Sequence, residues 1–188
     1  MKDLLSAVRL LGLLSFLCGV FYPLVVWGAG QLIFPAQAQG NLVRQDGVVI
    51  GSRLLGQSFS DPRYFWGRPS ATAPFPYNPR ASAGSNLGPT NPQLAQLVAE
   101  RVQALGANSS NPLPADLASA SASGLDPHIS PEAAFYQVER VAMARGLSAE
   151  EVEAIVQNQV EGPFLGIFGA PRVNVLELNL ELERLNRR

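Results

Sequence analysis

Residues 10–34 read LLGLLSFLCGVFYPLVVWGAGQLIF and contain no charged side chain. Aspartate, glutamate, lysine, arginine and histidine are absent from position 10 through position 43. At about 1.5 Å per residue, a helix of this length crosses a hydrocarbon core of about 30 Å. The stretch therefore predicts a membrane-spanning helix. Pro23 predicts a local kink within it, because proline supplies no backbone N–H.

A cleaved signal peptide is the alternative interpretation of this stretch. Lys2 and Arg9 precede it, and Ala36-Gln37-Ala38 resembles a cleavage site. The apolar region of a signal peptide, however, has only about 7 to 15 residues, whereas this run is longer and carries Trp27 and Phe34 toward its end. We therefore expect an uncleaved anchor. The positive charges near its start predict a cytoplasmic N-terminus and an extracytoplasmic C-terminal part.

The chain beyond the anchor is long enough, at about 150 residues, for one domain with a hydrophobic core. Its composition alternates between turn-rich and periodic segments. The predicted organisation is a cytoplasmic N-terminus at 1–9, a transmembrane helix at 10–34, a linker at 35–40 and a soluble α+β domain at 41–188.

Two segments of this domain are predicted to be non-helical. Residues 41–50 indicate a β-hairpin, because Asp46-Gly47 separates two short apolar runs and Asp-Gly favours a hairpin turn. Residues 67–92 are rich in glycine, proline, serine and asparagine, which disfavours both helix and strand. We expect a long ordered loop there. The aromatic cluster of Phe59 and residues 64–66 is expected to belong to the core or to an interface.

Three helices follow, each with a recognisable start. Asn91 and Pro92 begin one that ends at Gly106; Ser130 and Pro131 begin one that ends at Gly146; Ser148 and Glu151 form a capping box for one that ends at Gly162-Pro163. In residues 173–185 leucine alternates with polar residues, which predicts a strand that turns helical near its end. The expected fold is a small sheet with about three helices, tethered by one transmembrane helix.

Counting residue types excludes several kinds of site. The only lysine is Lys2, so the domain has no Walker P-loop. One histidine, His128, and one cysteine, Cys18, cannot form a closed zinc site, and we expect no metal ligands. The net charge is −1 and no basic run exists, which argues against nucleic acid as a partner.

A serine hydrolase is the remaining enzymatic interpretation. It would use Ser121 or Ser123 with His128 and Asp126. The surrounding sequence does not match the G-x-S-x-G motif, and a hydrogen-bonded turn explains Asp126 equally well. We favour the structural explanation and predict no catalytic residues.

Small residues on the anchor suggest contact with another helix. Ser15 and Gly19 lie four positions apart, a spacing that lets a second helix approach closely. Cys18 is expected to act as a small apolar residue that contacts either lipid or a second helix.

Several motifs, in order along essentially the whole chain, resemble one known family. They are Gly51-Ser52 with Gly56-Gln57, YFWGRPS at 64–70, SAGSNLGP at 82–89, SASGLDPHIS at 121–130, Gln137, RVA at 140–142, ARG at 144–146 and RVNVL at 172–176. Together with the N-terminal span, they resemble the C subunit of the bacterial Kdp potassium-transporting P-type ATPase.

That resemblance implies an accessory, non-catalytic subunit of an ATP-driven, high-affinity potassium importer of the bacterial inner membrane. Its expected partners are a channel-like potassium-binding subunit, a P-type ATPase subunit, a small membrane peptide and membrane lipid. ATP and potassium would be handled by the complex, with no cofactor bound by this chain alone. The family is also described as a catalytic chaperone that raises ATP binding by the ATPase subunit.

The motif residues are predicted to have structural or docking roles. They are Arg68, Pro69, Ser70, Gly84, Ser85, Asn86, Ser123, Gly124, Leu125, Asp126, Pro127, His128, Ser130 and Asn174. The alternative is an anchored external hydrolase or a binding module that acts alone.

Overall fold

The computed structural model describes residues 1–185, which divide into two compact units, Met1–Ile50 and the chain from Gly51 onward. The helices are α1 (Lys2–Phe16), α2 (Tyr22–Ile33), α3 (Pro35–Ala38), α4 (Pro92–Ala104), α5 (Ala115–Ala118), α6 (Pro131–Tyr136), α7 (Val138–Arg145), α8 (Ala149–Asn158) and α9 (Val175–Leu185). The strands are β1 (Leu42–Gln45), β2 (Val48–Ser52), β3 (His128–Ile129), β4 (Val160–Glu161) and β5 (Arg172–Asn174). This is the α+β fold predicted, with an apolar N-terminal helix.

The N-terminal unit is dominated by a helical run from Lys2 to Ile33. Within residues 1–185 it is the one helix whose length and composition suit a membrane span. Between α1 and α2 the turns widen into a π-helix over Leu17–Phe21, where the Tyr22 N–H donates to Leu17 O, five residues back. The widened turn lies directly before Pro23, whose missing N–H already interrupts the regular ladder.

The predicted β-hairpin is confirmed. Strands β1 and β2 pair in a two-stranded sheet, and their turn contains Asp46 at φ 51° and Gly47 at φ 80°. A two-residue turn with positive φ at both positions matches the twist of the paired strands, and Asp-Gly tolerates that conformation well.

The second unit has an antiparallel three-stranded sheet in the order β3-β5-β4. His128 pairs with Asn174 on one side of β5, and Val160 pairs with Val173 on the other. Helices α6 to α9 pack around this sheet. The buried core is largely aliphatic, with Phe65, Leu117, Ile129, Val141, Val152, Val156, Val173, Leu178 and Leu182 among its members.

The predicted helix starts are confirmed by their caps. The Asn91 side chain accepts from the Gln93 N–H, Ser130 accepts from the Ala133 N–H, and Ser148 forms the complete capping box. Each side chain satisfies a backbone donor that the first helical turn leaves free.

The helix ends differ in detail from the prediction. The helix expected to run from Pro131 to Gly146 is two shorter helices, α6 and α7, which meet at Gln137. The last predicted helix ends at Asn158, because the chain enters β4 at Val160 and pairs there with β5.

The predicted strand over residues 173–185 is wrong for most of its length. Only Arg172–Asn174 is a strand, and α9 occupies the rest. The buried positions are 175, 176, 178, 179 and 182, which is a helical spacing. Asn179 is one of these inward residues. Because this buried position is polar, the apolar residues alone do not show the helical period, and the alternating leucines favoured a strand instead.

The aromatic cluster contributes Phe65 to the core and packs Phe59 against it, which is one of the two predicted outcomes. Phe65 is fully buried, although its segment is neither helix nor strand. Its backbone N–H donates to Asn179 Oδ1 at 2.8 Å, and its carbonyl accepts from Asn179 Nδ2 at 3.0 Å. The carboxamide therefore replaces the neighbouring strand that a buried extended segment requires.

A second carboxamide holds the next residue in the same way. The Trp66 N–H donates to Gln137 Oε1 at 2.8 Å, and Trp66 O accepts from Gln137 Nε2 at 3.1 Å. The Arg140 guanidinium lies 4.3 Å from the Trp66 ring centroid. Two buried amides and one stacked arginine thus attach the aromatic segment to helices α7 and α9.

Candidate functional site: a loop platform beside an open cleft

The predicted motif loops meet at the side chain of Ser70. Its hydroxyl donates to Gly124 O at 2.7 Å and accepts from the Tyr77 N–H at 2.8 Å. The Tyr77 hydroxyl in turn donates to Arg68 O, and burial raises the pKa of Tyr77 to about 12. The structure therefore joins two motifs that lie some fifty positions apart in the sequence. We call residues 67–86 with 121–125 the loop platform.

Glycine is required at position 124 of this platform. Gly124 has φ +66°, and a Cβ built there would lie 2.5 Å from Thr72 Cγ2 and 2.6 Å from Ala83 O. Gly84 is crowded as well, since its Cβ would lie 2.9 Å from Ala122 O. Any side chain at these positions would force the loops apart.

Backbone hydrogen bonds complete the platform. Ser121 N donates to Pro69 O at 3.0 Å, and Ala83 N donates to Ser123 O at 3.0 Å. The Ser123 hydroxyl accepts from the Leu125 N–H at 3.1 Å. Two other predicted residues lie nearby in sequence: Ser85 is half-buried, and Asn86 is exposed with φ +52°.

Three polar side chains stand at the edge of the platform. Arg68 Nη1 lies 3.3 Å from Asp126 Oδ2, and His128 Nδ1 lies 3.6 Å from Asp126 Oδ1. Burial acts to raise the pKa of Asp126, but hydrogen bonds from His128 and the charge of Arg68 outweigh it, and the pKa is lowered. Asp126 is therefore a carboxylate at neutral pH, held between two donors.

The remaining predicted residues attach this edge to the sheet and helices. Pro127 O accepts from the Val175 N–H at 3.0 Å. The Ser130 N–H donates to Asp116 Oδ2 at 2.7 Å, while the Ser130 hydroxyl caps α6. Asn174 Nδ2 donates to Arg53 O at 2.9 Å, and its Oδ1 accepts from the Glu177 N–H at 3.2 Å. Most of the predicted motif residues therefore make hydrogen bonds within the domain itself.

An open cleft of about 680 Å³ lies beside these residues. One part of its wall is polar, with Arg68, Asp126, His128 and Glu132. Another part is apolar and includes Phe164 and Phe168.

The arrangement does not assemble a hydrolase. The Ser121 side chain is buried, with 3% of the residue exposed, and the Ser123 hydroxyl accepts a hydrogen bond from the backbone within its own turn. Across residues 1–185, no hydrogen bond joins His128 to either serine. A nucleophile needs a base within hydrogen-bond reach, and neither serine has the His128 imidazole in that position. In the same range, no group of three or more histidine, cysteine, aspartate or glutamate residues is placed to hold a metal ion.

Several residues that hold the aromatic segment in place were not among the site residues predicted from the sequence. Asn179 and Gln137 hold the aromatic segment, and Arg145 lies 5.0 Å from the Tyr64 ring centroid and pairs with Glu183 at 2.9 Å. Burial lowers the pKa of Arg140 to about 10. A polar residue at an inward position of a helical face is the sequence signal that could have found the two amides.

The predicted packing pair lies in the N-terminal helical run. Ser15 is in α1 and Gly19 is in the π-helix, and both are exposed. A Cβ added at Gly19 would meet no atom within 4 Å, so nothing inside the described chain requires a glycine there.

Comparison with known proteins gives a consistent set of relatives. The family model described as KdpC, K+-transporting ATPase, c chain, matches residues 4–184. The potassium-transporting ATPase KdpC subunit of Dechloromonas aromatica is 54% identical, with all of both chains covered. The subunit of the same name from Sorangium cellulosum is 58% identical over 97% of this chain and 98% of the relative, and that of Polaromonas naphthalenivorans is 55% identical over 98% and 96%.

Proposed function

Because this chain belongs to the KdpC family, the c chain of the K+-transporting ATPase, we propose that it supports the assembly of an ATP-driven potassium importer as a non-catalytic accessory subunit. The full-length match to KdpC subunits is the observation that carries this proposal. The apolar helix at 2–33, whose length and composition suit a membrane span, supports a membrane-anchored chain. The motif side chains are engaged in holding loops together, which suits a rigid docking body better than a catalyst.

The proposed arrangement has three protein partners: a channel-like potassium-binding subunit, a P-type ATPase subunit and a small membrane peptide. The N-terminus lies in the cytoplasm of the bacterial cell, and the domain lies outside the inner membrane near the potassium entrance. The span packs beside the channel-like subunit through Ser15 and Gly19, where small side chains permit close approach.

The effect on ATP binding would be indirect. The sole lysine is Lys2, and the domain has no glycine-rich phosphate loop of the Walker type. An extracytoplasmic domain is also separated from cytosolic ATP. A change in the nucleotide affinity of the ATPase subunit would therefore arise from coupling through the complex, in which this chain favours one conformation of its partners.

The assembly role is tested by changing the packing pair in the full complex. Ser15→Leu with Gly19→Leu should reduce co-purification of the partner subunits about tenfold, because bulk at a close contact separates the helices. Ser6→Leu is the matched control, since position 6 lies half a turn around α1 from Ser15. Wild-type yield from the double variant would show that this helix face is not the contact.

Sidedness is tested with a membrane-impermeant maleimide. A Cys18→Ser chain carrying Ser109→Cys has one thiol, at an exposed position of the domain. We expect labelling in intact spheroplasts of the cells. Labelling only after lysis would place the domain in the cytoplasm and overturn the orientation.

Coupling to the ATPase subunit is tested by nucleotide affinity. ATP binding to the detergent-solubilised complex should weaken when this chain is omitted, and adding the purified chain back should restore it. Equal affinity with and without the chain would remove the chaperone role and leave the assembly role standing.

A further inference from the structure

The segment between β4 and β5 exposes a dense group of apolar side chains. Phe164 is 72% exposed, Leu165 73%, Ile167 78% and Phe168 63%. We call residues 164–168 the apolar tip. Isolated exposed leucines are ordinary on protein surfaces, but four large apolar residues within five positions are typical of an interaction site.

The apolar tip is held in one shape by its own backbone. Phe164 and Phe168 exchange N–H···O bonds of 2.8 and 2.9 Å, and Gly166 N donates to Pro163 O at 2.9 Å. Leu165 has φ +55° and Gly166 has φ +74°. At the base of the hairpin, Arg172 pairs with Glu161 at 2.9 Å. A turn fixed in this way presents its side chains with little ordering cost on binding.

The tip continues into the charged cleft beside the loop platform. Phe164 and Phe168 line that cleft together with Asp116, Asp126 and Glu132. Its two arginines are already engaged, Arg68 with Asp126 and Arg172 with Glu161. The carboxylates of Asp116 and Glu132 therefore leave this wall with an excess of negative charge, whereas residues 162–171 carry no charge.

We propose that the apolar tip and the acidic wall together dock onto a protein surface of the same complex, one that offers an apolar pocket beside a lysine or arginine. This deepens the accessory role and rests on it. A protein is favoured over a lipid surface because negative charge beside the tip repels anionic headgroups, and the two arginines that line the cleft, Arg68 and Arg172, are already paired with carboxylates. The fixed turn likewise suits a shaped pocket.

The apolar half of the surface is tested with a tagged full-length chain in the complex. Phe164→Ser with Ile167→Ser should lower the yield of co-purified partner subunits about tenfold, the loss expected when central apolar contacts are removed. Met143→Ser is the control, because Met143 is 84% exposed on α7 of the same unit. Unchanged yield from the double variant overturns the docking surface.

The charged half is tested by reversal. Glu132→Lys should lower the yield about fivefold by placing like charges together. Glu150→Lys is its matched control, since each residue occupies the second position of a helix, α6 or α8, and each is exposed. Equal yields from the two reversals overturn the acidic contact. If the wild-type chain itself retains no partners, the accessory role fails along with the surface.

Membrane insertion of the tip is separated by fluorescence. A Cys18→Ser chain with Ile167→Cys carries an environment-sensitive dye on the tip. We expect the blue shift of buried dye in the assembled complex and not with the chain alone in phosphatidylcholine vesicles. A blue shift in vesicles of the chain alone would identify lipid as the occupant and overturn the proposal.

Discussion

The stretch from 53 to 91 and the stretch from 128 to 185 belong to the same compact unit but are held in different ways. The later stretch contains helices α6 to α9 and the three-stranded sheet, whose backbone bonds repeat from residue to residue. The earlier stretch contains no helix or strand. Its order depends on individual side chains, chiefly Asn179, Gln137 and Ser70, and on the absence of a side chain at Gly124, where neighbouring atoms pack closely.

The difference predicts where single substitutions matter. A helix loses little when one exposed residue changes, because its neighbours keep their bonds. A loop held by one carboxamide loses two buried hydrogen bonds at once. Substitutions at the few residues that hold the earlier stretch should therefore cost more than substitutions at helix caps.

Asn179→Leu should have the largest effect. It would leave the Phe65 N–H and C=O buried without partners, and the free energy of unfolding should fall by about 4 kcal/mol. Chemical denaturation of the detergent-solubilised full-length chain, followed by tryptophan fluorescence, measures it. Gln157→Leu, on the exposed side of α8, is the control and should change stability by less than about 0.5 kcal/mol. Equal effects would contradict the carboxamide's role.

Gly124→Ala should follow, at about 3 kcal/mol. Positive φ and the close contacts with Thr72 and Ala83 both oppose a methyl group. Gly146→Ala separates these causes, because Gly146 has φ +68° and no atom within 4 Å of its built Cβ. The same denaturation should give about 1 kcal/mol there. Similar losses at both positions would mean that crowding within the platform is unimportant.

Ser148→Ala should cost about 1 kcal/mol, the usual value of a helix N-cap. The loss arises because the Glu151 N–H loses its acceptor and the capping box is broken. It provides the reference for the regularly structured region. A loss as large as that of Asn179→Leu would remove the contrast between the two stretches.

The smallest effect should come from the charge of Asp126. Its folded pKa lies below the unfolded value of about 4, so the carboxylate stabilises the fold above pH 4, and this contribution disappears as the pH falls through the folded pKa. Asp126→Asn should therefore cost about 0.5 kcal/mol at pH 7 and less at pH 3. Denaturation of both proteins at the two pH values measures the change, and a difference that grows in acid would reverse the sign.

The features predicted correctly from the sequence are local ones. An Asp-Gly turn, an asparagine or serine cap and a glycine end each act within a few residues, so the hairpin and the starts of α4, α6 and α8 could be predicted. The long N-terminal helix could likewise be predicted, because its apolar residues are continuous in the sequence. The resemblance led us to predict structural or docking roles for the GRPS and SASGLDPHIS motifs, but it did not predict that the two motifs contact each other.

The features that could not be predicted depend on distant partners. Asn179 and Phe65 are 114 positions apart, and the sequence around either residue does not indicate that they form hydrogen bonds with each other. The same asparagine obscured the helical period of α9 and favoured the incorrect strand. The apolar tip was not singled out either, because its phenylalanines resemble core residues until the structure exposes them.

The widened turn at Leu17–Phe21 also changes which neighbours the span can touch. One added residue rotates everything after it by about 100° relative to an uninterrupted helix. The side chains of a given helical stripe before Phe16 and after Tyr22 therefore point in different directions around the helix axis. A helical span of this shape offers two differently directed faces, one on each side of the widened turn, rather than one continuous stripe.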